Sequence, residues 1–314
     1  MKVLGLCCGR KMGNGEVLVK AALMGAEQLD AQVEIVRLLD LDMKHCTACG
    51  ACMSMLMRGK DPQCVLKDDL SFLWNKIKDC DGLIIGAPIY ALSPPGYISV
   101  FRDRVSAQNA VAFLREYKKR MGDKAEFDPR IFNKRVGGLI SVGGAETLNW
   151  TALGIPTLYT IVFPLDIKIV DHMQVLKAGD RGSVTLQGDT MKKARNLGKN
   201  LVQAYQQPAD EITFLGQPGL CPVCHCNLIQ PGQKFQVECA VCAAGGTLKI
   251  EGEKLTMVID PESMKECRLT EKGMLYHLYE IIRVSQDEMR QKDEIEQNVE
   301  KYRSYKSYAL PLHP

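Results

Sequence analysis

The stretch DGLIIGAP, residues 81–88, decides the fold of this chain. Its apolar residues follow one another without the alternation of a strand that has one face in water. A strand formed here is therefore buried on both faces. Strands of this kind belong to parallel sheets that are covered by helices on each side. The stretch thus predicts a strand of a parallel sheet between two layers of helices.

Outward from this stretch, strand-like apolar segments alternate with helical patterns over residues 1–205. The other predicted strands are KVLGL (2–6), VEIVRL (33–38), RVGGLISVGG (135–144) and DIKIVDHMQV (166–175), and helical patterns cover about 16–29, 68–77 and 189–205. The alternation predicts an α/β fold with a doubly wound, five-stranded parallel sheet.

The bulk composition is that of an ordinary globular protein, with 46% hydrophobic and 25% charged residues among 314. A net charge of +3 is too small to favour nucleic acid or an anionic membrane as a partner. The N-terminal apolar run is too short for a secretory signal, and no run approaches the ~20 residues of a membrane span. We expect a cytoplasmic protein whose thirteen cysteines stay reduced, which favours metal binding over disulfides.

The rest of the chain predicts additional parts. Residues 105–134 are longer than a normal connection and contain a helical pattern over 110–121, so we interpret them as a lid or an association element. Two prolines and a change of composition at 206–220 indicate a domain boundary. The predicted division is a sheet domain over 1–208, a small cysteine module with a strand pair over 209–262, and a helical tail, solvated or oligomer-bridging, over 263–314.

The loop after the first strand, GLCCGRKMGNGEVL, is rich in glycine and positively charged. Gly9, Gly13 and Gly15 allow tight backbone geometry, while Arg10 and Lys11 supply charge. Backbone N–H groups at the start of the following helix would point at an anion, and a phosphate is the natural occupant. The pattern matches neither the dinucleotide fingerprint nor the Walker motif. The alternative is a simple turn with solvent-facing charges.

Two more loops follow predicted parallel strands at the same edge of the sheet. One is GAPIYALSPPGYISVFRDR (86–104), which contains Tyr90, and the other is SVGGAETLNW (141–150). Open α/β sheets bind ligands at the carboxyl ends of their strands. Loops of this composition suit a flat aromatic ring that is held by backbone groups.

Four cysteines lie in the short segment KHCTACGACMSMLMRGKDPQC (44–64). Cys46, Cys49 and Cys52 are each separated by two residues, and Cys64 follows. A disulfide framework, a zinc site, a redox dithiol and an iron–sulfur cluster are the alternatives. Zinc sites more often pair two CxxC knuckles across a longer gap, and a dithiol leaves two cysteines unused. A CxxCxxC triplet with a remote fourth thiol favours a [4Fe–4S] cluster.

A second group of cysteines consists of CPVCHC (221–226) and CAVC (239–242). Two CxxC knuckles at this spacing predict one tetrahedral metal in a zinc-ribbon or rubredoxin-like module. The predicted ligands are Cys221, Cys224, Cys239 and Cys242. Structural zinc and mononuclear iron both remain open, with zinc favoured. Few clustered basic or aromatic residues surround the module, so nucleic acid is not an expected partner.

The chain resembles a known family of proteins in several of these segments. The CCGRKMGNGEVL, APIYALSPPGYISVFRDR and VGG segments resemble the flavodoxin-like NADPH-dependent FMN reductases. With the early cysteine loop added, the chain is more similar to the iron–sulfur flavoproteins of anaerobes. The resemblance covers roughly residues 1–205.

The resemblance implies a flavodoxin-like fold with bound FMN. The family's phosphate loop reads Ser-Pro-Arg-x-x-Gly-Asn-Thr, and two of its hydroxyl groups are missing here, so Arg10, Asn14 and backbone amides would carry more of the binding. The implied phosphate loop comprises Cys8, Gly9, Arg10, Gly13, Asn14 and Gly15. The implied ring-binding residues are Pro88, Ile89, Tyr90, Ala91, Leu92 and Ser93, with Gly143 and Gly144 at the other edge.

These residues together predict a function. FMN exchanges two electrons and a [4Fe–4S] cluster one, so the pair converts between them. We expect an FMN- and [4Fe–4S]-dependent oxidoreductase that moves electrons between ferredoxin or NAD(P)H and a small-molecule or protein acceptor. The resemblance implies a homodimer or homotetramer with the cluster near the subunit interface. The alternative is a non-catalytic electron-transfer or scaffold subunit whose ribbon docks a partner enzyme.

His172, beside Asp171 in the fifth predicted strand, has two interpretations. It is either a proton donor near the ligand or a satisfied surface histidine.

Overall fold

A parallel sheet of five strands forms the centre of the computed structural model, which describes residues 1–105 and 108–305. The spatial order of the strands is β2-β1-β3-β4-β5, and every neighbouring pair is parallel. The predicted doubly wound α/β fold is therefore confirmed, with the strand order of flavodoxin-like folds. The strands are β1 (Lys2–Cys7), β2 (Gln32–Arg37), β3 (Gly82–Pro88), β4 (Arg135–Val142) and β5 (Ile167–Val175).

Helices cover both faces of this sheet. One face carries α1 and α7, and the other carries α3, α4 and α6. All residues of β3 except Pro88 are buried, as its apolar run predicts. The bounds are α1 (Asn14–Glu27), α2 (Ala51–Met57), α3 (Leu70–Asp79), α4 (Gly96–Val105), α5 (Val111–Met121), α6 (Gly154–Val162) and α7 (Gly188–Gln206).

α1 and α7 approach each other backbone to backbone. A Cβ atom on Gly25 would overlap the carbonyl oxygen of Arg195, and one on Gly198 would overlap that of Ala22. The two glycines thus let the helices pack more closely than side chains would allow. This contact holds the start of α1 near the segment that follows β5.

A second sheet, antiparallel and four-stranded, lies in the cysteine module. Buried residues of this module and of α6 belong to one continuous apolar cluster. Tyr159 of α6 donates a hydrogen bond from its hydroxyl to the carbonyl of Cys224 at 2.8 Å. The division at residue 208 thus separates two sheets that share one core. The strands are β6 (Ile229–Pro231), β7 (Val237–Cys239), β8 (Gly245–Glu251) and β9 (Lys254–Ile259), of which the sequence predicted the last two.

The tail consists of α8 (Glu271–Arg290) and α9 (Lys292–Arg303). Met274 and Leu278 of α8 pack against the buried start of α5 in a separate apolar cluster. The helix predicted over 110–121 is present as α5, and its buried start packs against the tail. Residues 106–107 of that insertion lie outside the described residues. α9 has no buried residue, so it is exposed along its length in the single chain.

No helix in the described part of the chain has the length and apolar character required to cross a membrane.

A buried ion pair attaches the early cysteine loop to α4. The Arg104 guanidinium donates to the Asp68 carboxylate, and both side chains are fully buried. Arg104 also donates to the carbonyl of Lys44 at 2.9 Å and to Sγ of Cys64 at 3.2 Å. Burial alone would raise the pKa of Asp68, but hydrogen bonds from Arg104 and from backbone N–H groups lower it below its usual value. One arginine thus holds both ends of the loop.

Arg104→Met should release this loop and destabilise the protein. We expect the free energy of unfolding to fall by about 3–5 kcal/mol, because Asp68 would be left as a buried charge without its partner. Urea denaturation followed by circular dichroism measures the change. The matched control is Arg102→Met, since the Arg102–Asp103 pair is solvent-accessible and such pairs are worth about 1 kcal/mol or less. Equal losses in the two variants would contradict the importance of burial.

Candidate active site and metal centre

The loop after β1 forms a cradle at the start of α1. The N–H of Cys8 donates to the carbonyl of Gly86 at 2.8 Å, which joins the loop to β3. The N–H of Gly13 donates to the carbonyl of Arg10 at 2.9 Å and closes the turn. Gly13 is the N-cap residue of α1 and has no side chain to occupy the helix start. The positive end of the helix therefore faces the loop, as a phosphate site requires.

Asn14 connects this cradle to the segment after β5. Its side-chain amide donates to the carbonyls of Ala178 and Asp180, both at 2.8 Å, and its oxygen accepts from the N–H of Val184 at 3.2 Å. The side chain is buried and engaged with these partners. The Asn14 side chain therefore holds the start of α1 against the segment after β5.

Arg10 and Cys8, the other two predicted side chains of the loop, differ in their exposure to solvent. Arg10 is exposed, and its guanidinium lies 3.4 Å from the carbonyl oxygen of Gly179. Cys8 is fully buried, and burial raises the pKa of its thiol well above the usual value. The Cys8 side chain thus belongs to the core, whereas the Arg10 guanidinium is accessible on the loop.

Glu16 holds the loop in place, which the sequence alone did not indicate. Its buried carboxylate accepts a hydrogen bond from the N–H of Met12 at 2.9 Å and pairs with Lys20 at 2.6 Å. Met12 has a φ of 52°, a left-handed conformation that non-glycine residues rarely adopt. Burial alone would raise the pKa of Glu16, but these hydrogen bonds lower it. The carboxylate therefore fixes the shape of the phosphate loop.

The loop after β3 makes a tight turn that stands out from the sheet edge. The N–H of Ile89 donates to the carbonyl of Val142 at 2.9 Å, and Tyr90 and Ser93 exchange backbone hydrogen bonds at 3.0 and 3.2 Å. Leu92, inside the turn, has a φ of 68°. Tyr90 is 57% exposed. The turn thus presents backbone groups and an aromatic ring at the ligand edge.

The loop after β4 lies beside that turn. The N–H of Gly143 donates to the carbonyl of Val175 at 2.9 Å. A Cβ atom on Gly143 would lie 2.6 Å from the methyl group of Thr151, so the absence of a side chain lets the loop pack closely against Thr151. Leu148 and Trp150 further along the loop are exposed, the latter by 67%. Exposed apolar side chains gathered on one edge mark a surface for an aromatic ligand or a partner.

The structure brings four cysteines of the module together as the sequence predicts. Sγ atoms of Cys221, Cys224, Cys239 and Cys242 all lie within 4.8 Å of one another, and all four residues are buried. The Cys221–Cys242 and Cys224–Cys239 sulfur separations are 3.6 and 3.5 Å. Metal–sulfur bonds of about 2.3 Å in a tetrahedron place sulfurs about 3.8 Å apart. The donor set therefore fits one tetrahedral zinc or iron ion.

The four early cysteines have a looser arrangement. Cys46 and Cys49 are exposed, while Cys52 on α2 and Cys64 are half-buried. Burial raises the pKa of Cys52, and the nearby Cys64 and Cys49 thiols add to this effect. In the described chain these residues do not form a group within 4.8 Å. A cubane binds each thiolate to a different iron and needs wider spacing than a single ion, so this ligand set remains a prediction.

His172 of β5 faces the ribbon rather than the ligand edge. Its Nε2 lies 3.1 Å from the carbonyl oxygen of His225. Its ring contacts Phe214, which in turn stacks on His225 with ring centres 3.9 Å apart. Burial lowers the pKa of His172 to about 4, so the ring is neutral at pH 7. The residue is half-buried and its Nε2 is hydrogen-bonded, which agrees with the interpretation as a satisfied histidine.

Comparisons with known proteins agree with this geometry. The profile of the family described as NADPH-dependent FMN reductase matches residues 1–153. Flavone synthase cfoJ of Aspergillus candidus is 30% identical over 286 residues, which are 90% of this chain and 88% of that protein. An iron–sulfur flavoprotein of Methanocaldococcus jannaschii is 25% identical over 215 residues, 65% of this chain and 96% of that protein. A solved structure titled flavone reductase covers 99% of this chain and 100% of its own, with a TM-score of 0.83 and 22% identity.

Substituting one metal ligand should empty the four-cysteine centre. We expect Cys221→Ser to lose the bound metal, because a tetrahedral thiolate site needs all four sulfurs. Elemental analysis of the anaerobically purified full chain measures metal per chain. Cys267→Ser is the matched control, since Cys267 is also fully buried beside the centre but lies outside the ligand set. Retention of metal in Cys221→Ser, or equal loss in both variants, would contradict this ligand assignment.

Proposed function

Because this chain belongs to the NADPH-dependent FMN reductase family, we propose that it binds FMN at the sheet edge and transfers a hydride from NAD(P)H to an aromatic carbonyl acceptor. It is a flavin-dependent oxidoreductase, as its relatives are. The observation that carries the proposal is the meeting of three loops at one edge. The Arg10 guanidinium, the Tyr90–Ser93 turn and the Gly143 backbone all belong to that edge.

The residues at the edge fit the cofactor. Backbone N–H groups after Gly13 and the Arg10 guanidinium would hold the phosphate. The turn over 88–93 and the Gly143–Gly144 backbone would border the ring. FMN supplies hydride exchange between a nicotinamide and an acceptor when bound. In the overall reaction, NAD(P)H, one proton and the acceptor give NAD(P)⁺ and the acceptor with two added hydrogens.

The acceptor class comes from the names of two similar proteins. One is named for forming a flavone and the other for reducing one, so both names concern the same ring system. We infer that this chain acts on a flavone-like compound, in which a carbon–carbon double bond is conjugated to a carbonyl. The alignment with the synthase covers 90% of the chain, which supports an enzyme over a non-catalytic scaffold subunit.

We propose in addition that Cys46, Cys49, Cys52 and Cys64 hold a [4Fe–4S] cluster. Iron–sulfur flavoproteins among the relatives support this ligand set. Arg104 supports it as well, because its guanidinium contacts Cys64 and its buried Nε has no partner in the described chain. A guanidinium N–H that already contacts the sulfur of Cys64 can donate a hydrogen bond to a thiolate ligand at this position. Ferredoxin is then a second possible donor.

The metal of the ribbon has a different role in this proposal. Its four ligands are buried and already complete a tetrahedron, with no open position for a substrate. Closed sites of this kind are structural, so we propose zinc there, with mononuclear iron as the alternative. The exposed apolar side chains at the ligand edge support a homodimer or homotetramer.

Anaerobic kinetics test the function directly. The FMN-loaded chain is mixed in a stopped-flow instrument with NADH, NADPH or reduced ferredoxin, and then with flavone. We expect flavin bleaching by a nicotinamide and a product two hydrogens heavier than flavone by mass spectrometry. A chain that takes up no FMN after reconstitution would end the proposal.

Arg10→Ala separates phosphate binding from ring binding. We expect FMN affinity to fall about tenfold, which corresponds to ~1.4 kcal/mol, because an exposed charge pair with the phosphate is lost. Affinity for riboflavin, which has no phosphate, should not change. Quenching of flavin fluorescence measures both. Lys11→Ala is the control on the same loop. Equal losses for FMN and riboflavin would place Arg10 at the ring instead.

A further inference from the structure

A cavity of about 720 Å³ lies beside α6, outside the loops assigned to FMN. α4, α5, loop residues of the cysteine module and α8 provide the remaining walls. Ligand-binding cavities commonly have volumes of about 300–1,000 Å³. The floor is apolar and buried, with Phe113, Val241 and Met274, while Arg102, Arg268 and His277 lie at the exposed rim.

One end of this cavity borders both loops that are proposed to hold the flavin ring. Thr157 lines the cavity, and its hydroxyl lies 3.5 Å from that of Ser93 in the turn after β3. Pro156 and Leu228 line it as well, and both also line a smaller cavity that reaches Leu148 in the loop after β4. A ligand at this end would therefore lie next to the flavin-ring loops.

The charges at the rim indicate what kind of ligand fits. Arg102 is paired with Asp103 at 2.8 Å, so this pair is neutral overall. Arg268 donates from Nη1 to the carbonyls of Ala240 and Val241, at 3.1 and 3.0 Å. These acceptors are uncharged, which leaves the Arg268 charge uncompensated by its hydrogen-bond partners in the described residues. An apolar floor with a positive rim favours a flat aromatic molecule that carries an acidic oxygen.

We propose that this cavity is the acceptor site, and that the acceptor is a planar aromatic carbonyl compound with an acidic hydroxyl group. Its rings lie on Phe113 and Met274, its hydroxyl group faces Arg268, and its reducible end lies at Thr157. This inference rests on the proposed function, since it assigns the acceptor of the same reaction. The cavity also explains why a metal ribbon and a helical tail accompany the sheet domain, because both supply walls.

Filling the cavity tests the assignment. Thr160 of α6 lines it, and Thr160→Trp should weaken binding of 7-hydroxyflavone by about tenfold or more through steric exclusion. Ligand fluorescence on the FMN-loaded full chain measures the dissociation constant. Thr213→Trp is the matched control, because Thr213 lines a different cavity of about 740 Å³. If Thr160→Trp does not fold, Ile281→Trp at the exposed rim replaces it.

A second measurement separates this inference from the proposed function. NAD(P)H-dependent reduction of ferricyanide reports the flavin site alone and should be unchanged in Thr160→Trp. If the wild-type chain lacks this activity, the proposed function fails. If the activity is present and the variant binds 7-hydroxyflavone as tightly as the wild type does, the cavity assignment alone is overturned.

The charge of the ligand provides an independent comparison. The wild-type chain should bind 7-hydroxyflavone more tightly than flavone, because only the former has an acidic hydroxyl group. Arg268→Gln should reduce the ratio of the affinity for 7-hydroxyflavone to the affinity for flavone. An unchanged ratio would overturn the proposed orientation toward Arg268.

Discussion

The contact between α1 and α7, in which Gly25 and Gly198 each lie against a carbonyl of the opposite helix, positions the ligand edge of the sheet. Asn14 begins α1 eleven residues before Gly25, or about 17 Å away at 1.5 Å per residue. Because α1 contacts α7 at Gly25, the start of α1 lies beside the segment after β5. Asn14 then bonds to Ala178 and Asp180, and the phosphate loop acquires a rigid wall.

Features of the chain that depend on local sequence were predictable, and those that depend on distant partners were not. The strand over 82–88 could be predicted because a short unbroken apolar run is typical of a strand that is buried on both faces. The four ribbon ligands could be predicted because CxxC spacing itself brings two sulfurs to one ion. α4 and α6 were missed because their segments begin with glycine or proline and look like loops. Glu16 and Arg104 were missed because a buried charge reveals its role only through partners such as Met12 and Asp68.

The two groups of cysteines lie in opposite surroundings. The ribbon set is buried, and Tyr159 and His172 attach that module to the sheet domain. The early set lies partly exposed on a loop that Arg104 holds at both ends. A closed, buried site stabilises structure, whereas an accessible one can exchange electrons with a protein that docks there. The difference in burial supports the separate roles that we propose for the two sites.

Because the two sheets share one core, folding of the ribbon affects the proposed acceptor site in the sheet domain. Val241 of the second knuckle and Leu228, just after the first, line the proposed acceptor cavity, so the ribbon supplies one of its walls. Under the proposed assignment, a chain without metal in the ribbon would retain the flavin edge and lose one wall of the acceptor site. Metal binding in the ribbon would in this way affect acceptor binding.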